Sequence, residues 1–154
     1  MKYWLVKSEP DVFSFDDLLA SPRRTTHWDG VRNYAARNHL RAMERGDLVF
    51  FYHSGVSPSE IVGVAEVTRA AYPDPTALDP RDPHFDPKSK ADAPTWFMVD
   101  LRAVETLPRP VSLDEIKRTK QLQQMALVRL GRLSVQPVTE REYETVRELS
   151  SSRD

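Results

Sequence analysis

The chain has 154 residues, a formal net charge of -1 and no cysteine, with 40% apolar and 29% charged residues. That size fits one domain with a substantial core, and the composition is that of a soluble globular protein. The missing thiols exclude disulfides, thiolate catalysis and cysteine-based zinc sites, and the near-neutral charge excludes a global field drawing the protein onto any polyanion.

Lys2 to Lys7 reads as an opening strand of aromatic and branched residues, stopped by Pro10. Its apolar run, Tyr3 to Val6, is too short for a signal peptide or a membrane span, so a soluble cytoplasmic protein with no membrane partner is expected. Ser14 is placed as the N-cap of a short helix to about Ala20, with Asp17 in its first turn and Ser21-Pro22 as its stop. From Asn33 to Arg45, Ala36, Leu40 and Met43 recur at i, i+4 and i+7, which predicts a helix closed by Gly46-Asp47. Arg37, Arg41 and Arg45 stack on another face of it, with Tyr34 on the same side. Leu48 to His53 and Ile61 to Thr68 read as two strands of a hairpin joined through Ser54 to Glu60.

Six of the twelve prolines lie from Pro73 to Pro94, an irregular excursion of a length that is usually functional or mobile. Thr95 to Leu107 is the next strand, and Ser112 with Glu115 forms a capping-box pattern for a helix through about Arg118. Leu133 to Gln136 reads as a short strand ended by Pro137. Thr139 and Glu142 open a last helix to Leu149, with Tyr143, Val146 and Leu149 facing inward. Residues 1–150 then form one domain and 151–154 a frayed tail. Irregular alternation of strands and short helices predicts an α+β fold around a central sheet.

The densest chemistry lies in Trp28-Asp29-Gly30-Val31-Arg32-Asn33-Tyr34, in Arg37-Asn38 and in Phe50-Phe51-Tyr52-His53-Ser54. Aromatic planes, an amide, guanidinium groups and hydroxyls suit a flat, hydrogen-bonding heterocycle with a phosphate backbone beside it. Each feature also has a plain structural reading. Trp28 can fill the core, Asn33 can cap the helix, and the Arg37, Arg41 and Arg45 stripe can be a solvated face rather than a phosphate contact. His53 can serve a strand end; a nucleophile pair with Ser54 lacks an elbow motif, an oxyanion loop and an orienting partner. Ser134 and Gln136 fall on one side of their strand, where an amide could read a base edge or simply meet water. His27, His39, His53 and His84 show no metal-ligand spacing, and no phosphate-binding glycine loop is present, so neither metal nor cofactor is expected.

Lys7-Ser8-Glu9-Pro10, the run from Trp28 to Asn38, Phe51-Tyr52-His53-Ser54 and Arg132-Leu133-Ser134-Val135-Gln136-Pro137 together resemble, in order, the motifs of the EVE domain family of the PUA-like superfamily. The match extends from Tyr3 to about Leu149. The resemblance implies a mixed, barrel-like sheet surrounded by short helices. It implies a non-enzymatic monomer that binds nucleic acid bearing a modified base, with modified cytosine in DNA (5-methyl- or 5-hydroxymethylcytosine) the leading ligand and modified RNA the alternative. The implied ligand site comprises Lys7, Ser8, Trp28, Val31, Arg32, Asn33, Tyr34, Tyr52, His53, Ser54, Ser134 and Gln136. An extruded base would stack on Trp28 or Tyr52, be read by Asn33, Ser8, Ser54 or Gln136, and have its phosphate met by Arg32 and Lys7. Two other classes stay open: an enzyme using Lys7, Glu9, Asp29 and His53 as acid-base groups, and an interaction module holding a peptide or metabolite.

Overall fold

The computed structural model describes residues 1–152. Its strands are β1 (Tyr3–Ser8), β2 (Thr25–His27), β3 (Leu48–His53), β4 (Glu60–Pro73), β5 (Phe97–Ser112) and β6 (Val135–Val138). They form one sheet in the order β2-β5-β4-β3-β1-β6. β1 runs parallel to β3 and every other pair is antiparallel. The helices are α1 (Phe15–Ala20), α2 (Tyr34–Ala42), α3 (Leu113–Arg118), α4 (Ala126–Arg129) and α5 (Glu140–Ser151). None is long and apolar enough to cross a membrane among the described residues.

β1 and β3 are almost continuously apolar because helices cover both of their faces. Trp4, Val6, Val49 and Phe51 join one core with Leu18 of α1 and Ala36 and Leu40 of α2. Leu5, Phe50 and Tyr52 point the other way, into a second core with Ile116, Met125 and Val146. The expected α+β class holds, but the sheet is not closed into a barrel: β2 and β6 stand at its two ends without pairing to each other.

The caps follow the side chains. Ser14 with Asp17 and Thr139 with Glu142 form complete capping boxes, each side chain bonding the other's backbone amide. Ser112 caps α3, but Glu115 does not return to the cap; its carboxylate takes both guanidinium nitrogens of Arg109 instead. Helix α2 stops at Ala42, short of Arg45, because buried Asp47 pins the turn beyond it. Its carboxylate accepts from the Glu44 and Lys2 amides and from the Trp4 indole. Burial alone would raise the Asp47 pKa, yet those hydrogen bonds outweigh it and hold the carboxyl below the usual range.

Strand β5 runs through Pro108 and Pro110 because its register with β4 slips there, between the Gly63–Thr106 and Ile61–Val111 pairs. β6 likewise runs through Pro137, which is tolerated on the last strand of a sheet. β2 and α4, at three and four residues, are too short to leave a periodic signal. Helix α5 extends to Ser151, and buried Ser150 both accepts from the Arg109 amide and donates to its carbonyl. The last two residues of the expected tail, 153 and 154, lie outside the described residues.

Gly63 of β4 lets the Phe15 ring rest on the strand, and an added methyl would overlap that ring. Gly63→Ala should therefore cost about 1–3 kcal/mol, as overpacking does. Urea unfolding checks this, and an unchanged midpoint would show that Phe15 repacks freely.

Candidate functional site

A cavity of about 390 Å³ opens where the two ends of the sheet curl toward each other. Thr26 and His27 of β2 flank it on one side and Ser134, just ahead of β6, on the other, with Lys7 and Ser8 from the end of β1. Phe13, Trp28 and Val31 give it an apolar wall, and Val12, Asp29, Gly30, Arg32 and His84 complete the lining. The volume lies within the range of small-molecule sites. Trp28 is both core and wall. Its ring meets Phe51 edge-on at 5.5 Å and Phe13 at 6.4 Å, and its amide donates to the Val99 carbonyl at 2.7 Å.

The proline-rich excursion folds onto this cavity through one carboxylate. Asp74, buried, accepts from the Gly30 amide at 2.8 Å, Arg32 Nη1 at 3.1 Å, and the Thr76 amide and hydroxyl at 2.9 and 2.6 Å. Burial would raise its pKa, but the bonds from Thr76, Gly30 and Arg32 prevail and hold the carboxyl below its usual range. Arg32 also donates to the His84 carbonyl, the Val31 carbonyl and the Thr76 hydroxyl. Gly30 has φ +77°, and a Cβ there would stand 2.8 Å from the His84 imidazole. The far end of the excursion is moored by the Trp96 indole, which donates to Asp86 at 2.7 Å.

Asp29 differs from Asp74. Its carboxylate accepts no hydrogen bond from another of the described residues, and its pKa is raised, first by burial and then by the Asp74 charge, against the smaller opposing effects of His84 and of its own backbone amide. Lys7 is spent: its ammonium donates to the Gly131 carbonyl at 2.6 Å, and burial lowers its pKa.

Six of the residues implied by sequence meet at the cavity: Lys7, Ser8, Trp28, Val31, Arg32 and Ser134. The others lie elsewhere. Asn33 caps α2 by accepting from the Ala36 amide, and it borders a separate hollow with Leu130 and Arg132. Tyr34 lies on the surface, 62% exposed, with its ring 5.0 Å from Trp96 and under the Arg37 guanidinium. Tyr52 is buried in the second core, on the face away from the cavity. His53 Nε2 accepts from the Phe15 amide at the start of α1, and burial lowers its pKa, which keeps that nitrogen free to accept. Ser54 enters the hairpin loop, its amide bonded to the Ser8 carbonyl.

Gln136 is fully buried, with Nε2 donating to the Leu130 and Leu133 carbonyls. It points opposite to Val135, which joins the cavity-side core; the strand begins only at Val135, so Ser134 lies outside the pleat and alternation does not link the two polar residues. Of the arginine stripe, Arg37 donates to the Thr95 carbonyl and stacks on Tyr34, Arg41 lies 4.7 Å over Phe97, and Arg45 lies beyond the helix. Arg32 and Arg37 therefore donate within the protein, whereas Arg41 is exposed and meets the Phe97 ring.

Sequence reasoning left Phe13, Thr26, His27, Asp29 and His84 out of the site. Asp29 sits inside the motif itself, so its unpaired charge was the one available signal. His27 is held by a surface cluster: its Nδ1 is 2.8 Å from Asp100, and Tyr72 donates to the same carboxylate. Among the described residues no group of three or more His, Asp or Glu is placed to hold a metal ion.

An open, mixed sheet with an aromatic-walled cavity in the gap between its ends defines an α+β domain with a concave site. The chain belongs to the EVE domain family, whose model matches residues 2–149. It is 45% identical over 167 residues to thymocyte nuclear protein 1 of Rattus norvegicus, covering 97% of this chain and 74% of that protein. The structure of human THYN1 protein in complex with DNA containing 5-methylcytosine matches with a TM-score of 0.97 at 42% identity over the whole of both chains. A protein of Pseudomonas putida matches with a TM-score of 0.89 at 48% identity, covering 96% of this chain and 99% of that one.

Proposed function

We propose that this protein binds DNA and takes an extruded 5-methylcytosine into the cavity between β2 and Ser134. One observation carries the reading: an aromatic wall, Trp28, stands beside Asp29, a carboxylate that accepts from no other residue among those described. Cytosine supplies that donor through its exocyclic amine, whereas thymine presents an acceptor at the same position. Phe13 and Val31 offer apolar contact for the methyl group. The likeness to human THYN1 protein in complex with 5-methylcytosine DNA supports the same ligand.

The role is recognition without turnover. Of the four acid-base candidates, Lys7 donates to Gly131, His53 accepts from Phe15 and Glu9 lies outside the cavity lining, which leaves Asp29 alone of the set free to meet a ligand there.

Calorimetry with oligonucleotides carrying cytosine, 5-methylcytosine or thymine at the target position tests this at one salt concentration. The methyl group contributes about 0.8 kcal/mol, so 5-methylcytosine should bind roughly fourfold more tightly than cytosine, and thymine least. A mismatch opposite the target should tighten binding, since an unpaired base costs less to extrude. Protonated Asp29 keeps only a neutral carbonyl oxygen, a weaker acceptor for the amine than the carboxylate. Affinity should thus rise with pH through the raised Asp29 pKa and level off above it. Equal affinity for methylated and plain DNA would overturn the ligand, and a flat pH profile the role of Asp29.

A further inference from the structure

Arg32 and Arg37 donate within the protein, so a DNA strand crossing the cavity mouth needs other cations. Seven arginine side chains, those of Arg23, Arg24, Arg41, Arg45, Arg118, Arg132 and Arg141, are exposed and engage no hydrogen-bond or ion-pair partner among the described residues. Two of them sit on an unusual backbone. Arg23 and Arg24 have φ of 57° and 53°, a left-handed conformation that a residue with a Cβ seldom adopts, and here it occurs twice in succession. The turn closes on itself through the Arg24 amide and the Ser21 carbonyl at 2.8 Å, so no contact of either side chain explains the choice of arginine. Strain kept without a packing return points to function.

The positions are as telling as the strain. The turn leads straight into β2, whose Thr26 and His27 line the cavity, two and three residues past Arg24. Arg132 lines the neighbouring hollow beside Asn33, two residues before Ser134, which flanks the cavity opposite β2. A nucleotide rotated out of its stack leaves a phosphodiester on each side of it, and those charges would fall at the two flanks of the mouth. We infer that Arg23 and Arg24 on the β2 flank and Arg132 on the β6 flank grip the phosphodiesters on either side of the extruded nucleotide. The inference rests on the cavity reading above and adds the contacts that hold the strand over it.

The test measures the salt dependence of binding to duplexes carrying 5-methylcytosine or cytosine. It uses wild type, Arg23→Gln/Arg24→Gln, Arg132→Gln and, as control, Arg37→Gln. For each phosphate no longer gripped, the slope of log K against log salt should fall by about 0.9. Both duplexes should weaken in proportion, so the methyl preference stays. Arg23→Gly/Arg24→Gly should lose binding to the same extent while its thermal midpoint holds or rises, because glycine relieves the backbone. Unchanged slopes in a protein that still prefers methylated DNA would overturn the clamp and leave the cavity reading standing. A reduced slope in Arg37→Gln instead, or a lower midpoint in the glycine variant, would also overturn it. A wild type with no methyl preference would overturn the cavity reading itself.

Discussion

Alanine at position 74 is expected to destabilise the protein by about 3 kcal/mol, because it leaves the Gly30 and Thr76 amides without their acceptor and removes the carboxylate paired with half-buried Arg32. The corresponding fall in thermal midpoint is about 6–12 °C for a domain of this size. Four donors lose their acceptor together: the Gly30 amide, Arg32 Nη1, and the Thr76 amide and hydroxyl. DNA binding should fail with them, since the same carboxylate fixes Gly30 and, through Arg32, brings the His84 segment to the cavity. The Asp74 pKa is depressed in the folded state, so its contribution is fully present above the unfolded value of about 3.9 and is lost as pH falls through the lower folded value. Asp74→Asn should accordingly show a shallower loss of stability on acidification than the wild type. Urea unfolding from pH 7 downward, at about one-unit steps, reads both effects. A loss well under 1 kcal/mol would mean that water replaces the carboxylate at little cost.

Replacing Trp28 with leucine should weaken binding to 5-methylcytosine DNA by roughly 5- to 150-fold, the equivalent of about 1–3 kcal/mol of base stacking. Leucine keeps an apolar body against Phe51 and Phe13, so the fold survives while the flat face is lost. Near-UV dichroism and the unfolding midpoint establish that the variant is folded before titration. A folded variant that binds as wild type would remove Trp28 from the stacking role and make it a core residue only.

Much of the fold can be read from local chemistry. Ser14, Asn33 and Thr139 are where caps should be, and the apolar strands match β1, β3 and the first half of β4. The site is only half legible, for reasons that are physical. In β3 and β6 both faces are buried, so alternation cannot say which of Phe51 and Tyr52, or of Val135 and Gln136, faces the cavity. The role of Arg32 depends on Asp74, 42 residues away, and on a His84 carbonyl 52 residues away. Nothing near Arg32 in sequence distinguishes an arginine that meets phosphate from one that anchors a loop. The stripe at Arg37 and Arg41 misleads for the same reason: its partners, Thr95, Trp96 and Phe97, arrive from the start of another strand.

The segment between β4 and β5 touches the cavity through His84 and is fastened by Asp74 with its donors, by the Arg32 bond to the His84 carbonyl and by the Trp96–Asp86 bond. Its outer stretch is therefore an interchangeable visor. Residues 79–83 can be lengthened, shortened or recomposed with these moorings intact, and neither core would be disturbed. Fitting the domain to a bulkier base becomes a problem of loop grafting, confined to a stretch of chain that contributes little to whether the protein folds.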